Sequence, residues 1–509
     1  MKLYRTMLSL IALSLLFSAE INRADARKVA ESTFNKFKNE SIDDFKVKKL
    51  DIIESDDQIA LFYIFNLDPM GFIIVSAEDK TLPVFGYSFE NNFNYKNMPA
   101  SLENIFNGYK KDIKSIRESN ETRKEDIQNS WEELLSGDVS ENRSRNVTPM
   151  ISARFDQGGA WNNLIPSSFG WNVPVGCVAV AMGQVMHHWK HPYVGEGYNS
   201  YTDNGVFLEA DFSSAYYDFD NMPATYASDA SRLLLFHAGI SVNMDYDQSG
   251  SGAWVMGGYP STEYSLEYNF KYHSDMYHIY KSSNNADTFL NAIKEDLNNN
   301  MPVIMVGYGA SYGGGHAWNV DGYQGNLLHC NWGWGGSSNG YFNLTTMGGF
   351  PDDQSVLLNI IPRDIEAPIS LFEYATDAST VYFTDLSSIV NEYELRNYYW
   401  DFGDGTTETT TSGEISHTYT LSGTYDVELV VENIYGMMSQ PYYEQITVNA
   451  ATQGDINQDT SVNVLDVIML VNFILGGAPS ASEIFIGDLN SDNMLNIQDI
   501  IMLVNIIVG

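Results

Sequence analysis

The spacing of apolar residues changes character several times along the chain, and each change predicts a different kind of element. In ADARKVAESTFNKF (24–37) apolar positions recur at helical spacing, whereas IALFYIFN (59–66) and GFIIVSAEDKTLPVFGYS (71–88) have the β-branched and aromatic content of strands. A charged helical stretch follows near 101–135. The segment SGDVSENRSRNVT (136–148) is polar and without apolar periodicity, which predicts an exposed linker open to proteolysis. Residues 149–362 mix helical and strand patterns, as expected of a compact α+β domain. Within them, Cys177 to Trp189 is apolar on nearly every side, the mark of a helix buried in a core, and Pro192 helps to end it. From 366 to 449 apolar and polar residues alternate between turn signals, as in GTYDVELVVEN, which predicts a small β-sandwich. The last segment repeats itself: GDINQDTSVNVLDVIMLVNFILGG against GDLNSDNMLNIQDIIMLVNIIVG, with Asp455 and Asp488 at equivalent places.

A chain of 509 residues is too long for one core and calls for several domains. Residues 1–19 read as a secretory signal: Lys2 and Arg5 form a basic head, MLSLIALSLLF is apolar but too short to span a bilayer, and Ser18 and Ala19 suit cleavage. No later segment is apolar for long enough to cross a membrane. The net charge of −37 argues against nucleic acid as a partner and leaves room for bound cations. The charge is uneven: residues 1–146 hold 20 Lys and Arg against 24 Asp and Glu, the rest 8 against 41. Asn142 and Asn146 stand in glycosylation sequons.

Two cysteines are too few for a disulfide framework in a secreted chain of this size, so each needs its own account. Cys177 falls at the first turn of the buried helix, where unpaired N–H groups favour a thiolate. His187, His188 and His191 follow on the same helix. Ten residues of helix span about 15 Å, so they cannot serve this sulfur, and packing or surface roles suit them better than a zinc site. The better base is His316 in GGGHAWNVDGYQGNLLHCNWGWGG (313–336). A turn around Tyr323 to Asn326 folds that run back on itself and leaves His316 opposite Asn331 or Trp332, to within a residue or two. Asn331 could fix one imidazole nitrogen while the other pairs with sulfur, and an indole could shield the pair. Cys330 alternates away from Asn331 into the core and reads as structural.

Together DQGGAWNNLIP (156–166), GCVAVAMGQVMHHWKHP (176–192), GISVNMDY (239–246), GGGHAWNVDGY and NWGWGGSSNGYF resemble, in order, the streptopain family of secreted bacterial cysteine peptidases. The resemblance implies a papain-like fold with Cys177 as nucleophile, His316 as general base and acid, and Gln157 as the side-chain donor of an oxyanion hole. It leaves open whether Asn331 or Trp332 orients His316. It also implies that residues 20–146 are a propeptide that inhibits the enzyme from within the chain.

YYWDFGDGTTETT followed by HTYTLSGTYDVELVVEN resembles the polycystic kidney disease (PKD) domain, with Trp400 inside and a turn at Gly403 to Gly405. In the terminal repeat, oxygen ligands fall at positions 1, 3, 5, 9 and 12 of two loops: Asp455, Asn457, Asp459, Asn463 and Asp466, then Asp488, Asn490, Asp492, Asn496 and Asp499. Ser461 and Met494 stand at position 7, where a backbone carbonyl serves, so each loop can take calcium. Thr460 and Asn493 replace the EF-hand glycine, and aspartate replaces glutamate at position 12. With one helix per loop the segment resembles a dockerin, whose family partner is a cohesin; a calcium-stabilised tail without a partner is the plainer alternative.

The whole reads as α+β: signal 1–19, propeptide 20–146, peptidase 147–362, β-sandwich 366–449 and calcium-binding tail 452–509. The expected function is a secreted cysteine endopeptidase made as a zymogen, acting on proteins or peptides, with no cofactor for catalysis and a location outside the cell or on a cell-surface assembly. Two rivals remain. One is an acyl transferase, with Asp321 orienting the histidine; the other is an inactive adhesive or scaffold protein working through its C-terminal modules.

Overall fold

The computed structural model describes residues 20–38, 44–98, 100–119, 122–137, 146–281, 285–308, 315–344, 354–377, 379–389, 394–434, 436–448, 452–459 and 461–509. The expected signal segment, Asn142, Thr460, Gly313, Gly314 and most of the 136–148 linker lie outside them. The chain divides into two units, Met1–Asp364 and Ile365–Gly509.

The first unit is built on a 10-stranded antiparallel sheet that runs through two sequence regions. Helix α1 (Arg23–Phe37) starts at Asn22, whose side chain accepts from the N–H groups of Ala24 and Asp25. Strands β1 (Val47–Glu54), β2 (Ala60–Leu67), β3 (Phe72–Ser76) and β4 (Val84–Ser88) then form a meander. β2 and β3 are buried along their whole length, which is why their sequences read as continuous apolar runs and not as alternation. On one face Tyr63, Phe65, Ile73 and Val75 meet α1 and α3 (Glu125–Ser136) through Val29, Phe34, Trp131 and Leu134. On the other, Phe62, Ile64, Phe72 and Ile74 meet α2 (Ala100–Glu118) through Leu102, Phe106, Tyr109 and Ile113. The stretch near 101–135, expected as helical, is two helices.

The second region supplies α4 (Cys177–Trp189), the hairpin of β5 (Tyr198–Asp203) and β6 (Val206–Asp211), α5 (Asp229–Ser241), α6 (Thr262–Tyr268) and α7 (Ala286–Asn298). It also supplies β7 (Tyr277–Tyr280), β8 (Val303–Tyr308), β9 (Gly315–Gln324), β10 (Leu327–Asn331), β11 (Gly340–Phe342) and β12 (Ser355–Leu358). The sheet order is β1-β2-β3-β4-β11-β10-β9-β8-β12-β7. The two regions therefore join at β4 and β11, where Tyr341 pairs with Tyr87 and Phe342 with Gly86. Close approach there depends on glycine: a Cβ on Gly86 would lie 2.6 Å from Phe342 Cδ1, and one on Gly340 2.6 Å from the Tyr87 carbonyl. The two regions also share one core, in which Phe72, Phe85 and Tyr109 pack with Cys330, Trp332 and Phe342. The Arg154–Glu90 ion pair (2.7 Å) crosses between them at the surface.

In the second unit, β13 (Phe372–Asp377), β14 (Thr380–Asp385) and β17 (Glu414–Thr418) form one sheet. The other holds β16 (Thr407–Thr410), β15 (Leu395–Asp401), β18 (Gly423–Asn433) and β19 (Tyr442–Val448), as the alternation predicts. Trp400 is buried between the sheets against Phe372 and Phe383. Gly403 (φ +74°) permits the tight β15–β16 connection, since a Cβ there would lie 2.5 Å from the Asp426 carbonyl. Helices α8 (Val464–Ile474), α9 (Ala481–Gly487) and α10 (Ile497–Val508) close a small core of Ile456, Leu470, Ile486 and Leu503.

Candidate active site

Cys177 opens α4, behind Gly176 at φ +91°, where a Cβ would collide with Met244. His316 is the second residue of β9, and the two side chains line one cleft of about 480 Å³. Its other walls include Val242, Asp245, Trp254, Val255, Tyr259 and Val306. The described residues of 20–146 contribute β1 to β4 of the sheet.

The N–H of Ala317 donates to Cys177 Sγ at 3.4 Å. That bond and the first-turn N–H groups of Cys177 and Val178 pull the thiol pKa down, but burial outweighs them and leaves it above the ordinary thiol value. The helix-terminus effect expected from the sequence is present and is not the larger one. His316 is 4% exposed, with its ring stacked on Trp334 at 4.8 Å and near Trp318 and Trp332. Burial pushes its pKa down to about 4. Its Nε2 lies 3.1 Å from the Trp332 carbonyl, which can only accept, so Nε2 carries the proton and Nδ1 keeps its lone pair.

The hairpin forms around Gly325 and Asn326, but its ladder ends with Asn331 opposite Asn319. A bulge at Asp321 shifts the register by one residue: His329 faces Gly322, and Cys330 faces Val320. The contact to His316 therefore comes from the Trp332 backbone, while the Asn331 amide is turned to Gln184 and to the Ala153 carbonyl. Nothing in the letters signals this, because any residue at 332 supplies a carbonyl. Asp321 is taken as well: it accepts from Ile151 N–H (2.9 Å) and pairs with His329 Nδ1 (2.6 Å). Gln157 joins the lead into α4 through its backbone, its carbonyl accepting from Val175 N–H at 2.8 Å. His187, His188 and His191 turn to three separate carbonyls, those of Met222, Met150 and Lys271. Cys330 is a free, fully buried thiol in the shared core.

In the terminal loops Asp455, Asp466, Asp488 and Asp499 are at most 8% exposed, and their carboxylates gather backbone N–H groups of their own loops. Asp466 accepts from Asn457 and Asn463, and Asp499 from Leu489 and Asn496. Asp488 accepts from Asp492 and Asn493, and Asp455 from Asp459. Asn463 and Asn496 cap α8 and α10 in reciprocal boxes with Asp466 and Asp499. The Ser461 and Met494 carbonyls accept from those same asparagines. Buried carboxylates in an all-oxygen donor set fit a hard cation.

Comparison with known proteins gives four family matches: the Peptidase C10 family over 155–342, Spi protease inhibitor over 18–113, PKD domain over 367–448 and dockerin type I domain over 453–508. The thiol protease/hemagglutinin PrtT of Porphyromonas gingivalis is 30% identical over 402 residues, 72% of this chain and 44% of that protein. The chain thus spans less than half the length of that relative. Streptopain of Streptococcus pyogenes is 28% identical over 337 residues, 59% of this chain and 80% of its own. The solved structure of Prevotella intermedia prointerpain A matches with a TM-score of 0.48 at 22% identity, covering 62% of this chain and 98% of that one. Residues 155–342 are therefore a cysteine peptidase domain of the C10, or streptopain, family, in a chain that also carries a Spi-type inhibitor domain, a PKD domain and a type I dockerin domain.

Proposed function

We propose that the chain is a secreted cysteine endopeptidase made as a zymogen, with a signal at 1–19, a propeptide over 20–146 and a catalytic domain over 147–362. The observation that carries this is the pairing of His316 Nε2 with the Trp332 carbonyl beside Cys177, in one cleft: it leaves Nδ1 free to take the thiol proton. Cys177 Sγ attacks the peptide carbonyl carbon, the C–N bond breaks as His316 returns the proton to the leaving amine, and water hydrolyses the thioester. The Cys177 N–H and the Gln157 side chain would hold the developing oxyanion, each such donor being worth about 3 kcal/mol. Asn331 acts at one remove, through Gln184.

The propeptide binds through its apolar strands and is released after cleavage within 136–148. The terminal loops bind calcium through the carboxylates and amides named above, and the dockerin domain attaches the enzyme to a cohesin-type partner outside the cell. A thiol-directed peptidase inhibitor should label Cys177 alone in the processed protein. Absence of selective labelling would leave the inactive-scaffold reading in its place. Peptide products formed with and without added amine separate hydrolysis from acyl transfer, and the engagement of Asp321 with His329 speaks for hydrolysis.

A further inference from the structure

Three amide side chains lie wholly inside the peptidase domain: Gln184 on α4, Asn319 on β9 and Asn331 on β10 are 0%, 0% and 1% exposed. Burying an amide costs free energy unless its groups are bonded, so the pattern of bonds is informative. Gln184 Nε2 donates to Asn331 Oδ1 and to the Ala153 carbonyl, both at 3.0 Å. Asn331 Nδ2 donates to the same carbonyl at 2.8 Å. Asn319 Nδ2 donates to Gln184 Oε1 (2.9 Å) and to the Ala181 carbonyl (3.2 Å).

These bonds join the segments that carry the chemistry. Gln184 lies seven residues after Cys177, two helical turns along the same face. Asn319 lies on the same side of β9 as Ala317, whose N–H meets Cys177 Sγ. The helix is thus pinned to the strand at Cys177 and again at Ala181 and Gln184. Asn331 directly precedes Trp332, whose carbonyl holds His316, and Ala153 stands four residues before Gln157. A purely apolar contact would let α4 slide on the sheet, whereas directional bonds from one side chain to three segments admit a single register.

We propose that Gln184 is a positioning residue for the peptidase reaction: with Asn319 and Asn331 it sets the register of the Cys177 helix on the strands that carry His316 and Trp332. The proposal rests on Cys177 being the nucleophile. Gln184→Met keeps the length of the side chain and removes every bond; Asn319→Ser removes two bonds with little volume and serves where the methionine variant does not fold. Val185→Ala, in the same helix and fully buried, is the control for lost packing. Both network variants should lower kcat about 10- to 100-fold with KM within about threefold. In the full-length chain they should also slow iodoacetamide alkylation of Cys177 and displace its pH profile. Val185→Ala should lower the thermal midpoint and leave the alkylation profile in place. Activity falling only in step with thermal midpoint in all three, or alkylation profiles that overlay the unsubstituted chain, would overturn the proposal. No selective alkylation of Cys177 in the unsubstituted chain would instead remove the nucleophile reading on which it stands.

Discussion

Cys177 and Cys330 have the same side chain in two settings: one opens a helix beside a histidine in a cleft, the other is sealed in the core beneath Tyr109. Cys177→Ala should therefore give a folded protein without peptidase activity, and Cys330→Ala should keep most of it; equal loss in both would refute the division. His316→Ala should match Cys177→Ala, since groups that act as a unit do not add. Burial also sets a pH dependence. His316 and His237 are both held near a pKa of about 4. The unfolded chain protonates these rings as pH falls below about 6.5, and the folded chain does so only near 4. Stability should thus fall across that window, by at most about 3 kcal/mol per ring. Calorimetry from pH 7 to 4 tests this, and His237→Phe should flatten part of the slope. The cysteine and histidine were legible because their chemistry belongs to their side chains. The Trp332 carbonyl and the amide network were not: one is a backbone group, and Gln184 and Asn319 look like ordinary polar residues until the fold buries them.

At the scale of elements, apolar spacing located α1, α4, the strands β2 to β4 and the helices of the terminal repeat, and gave the character of the other regions without their separate elements; β2 and β3 are covered on both faces. What spacing could not show is pairing between distant strands. The β4–β11 junction has no signature beyond two small residues, because contact between residues 86 and 342 is fixed by the whole sheet. Gly340→Ala places a Cβ against the Tyr87 carbonyl, so it should weaken the hold of the propeptide about tenfold while leaving the processed enzyme active. Inhibition constants for an added 20–146 fragment, measured against both forms, decide it; equal constants would show that the junction does not govern binding. The terminal helices present a second test. Asp466 and Asp499 complete the capping boxes of α8 and α10 and are also proposed calcium ligands, so on that proposal chelation should unfold 452–509 and spare the peptidase domain. A thermal midpoint of the tail that ignores chelator would refute the ligand assignment.

For the molecule as a whole, both regions of the first unit are acidic, so net charge alone would push them apart. The structure has a continuous core across the two regions, and the Arg154–Glu90 pair, on the surface, is worth only about 0 to 1 kcal/mol. The 20–146 fragment should accordingly inhibit the processed enzyme at both low and high salt, with a small loss at high salt. No inhibition at either salt would overturn the zymogen reading, and loss at moderate salt would show that charge dominates. A continuous core also bears on biogenesis. A chain translated from residue 147 would have to fold with Trp332, Phe342 and Leu344 uncovered and with β11 as a bare sheet edge, the kind of surface that recruits other chains. On that account refolding of 147–364 should give aggregate alone and soluble enzyme when 20–146 is supplied in trans.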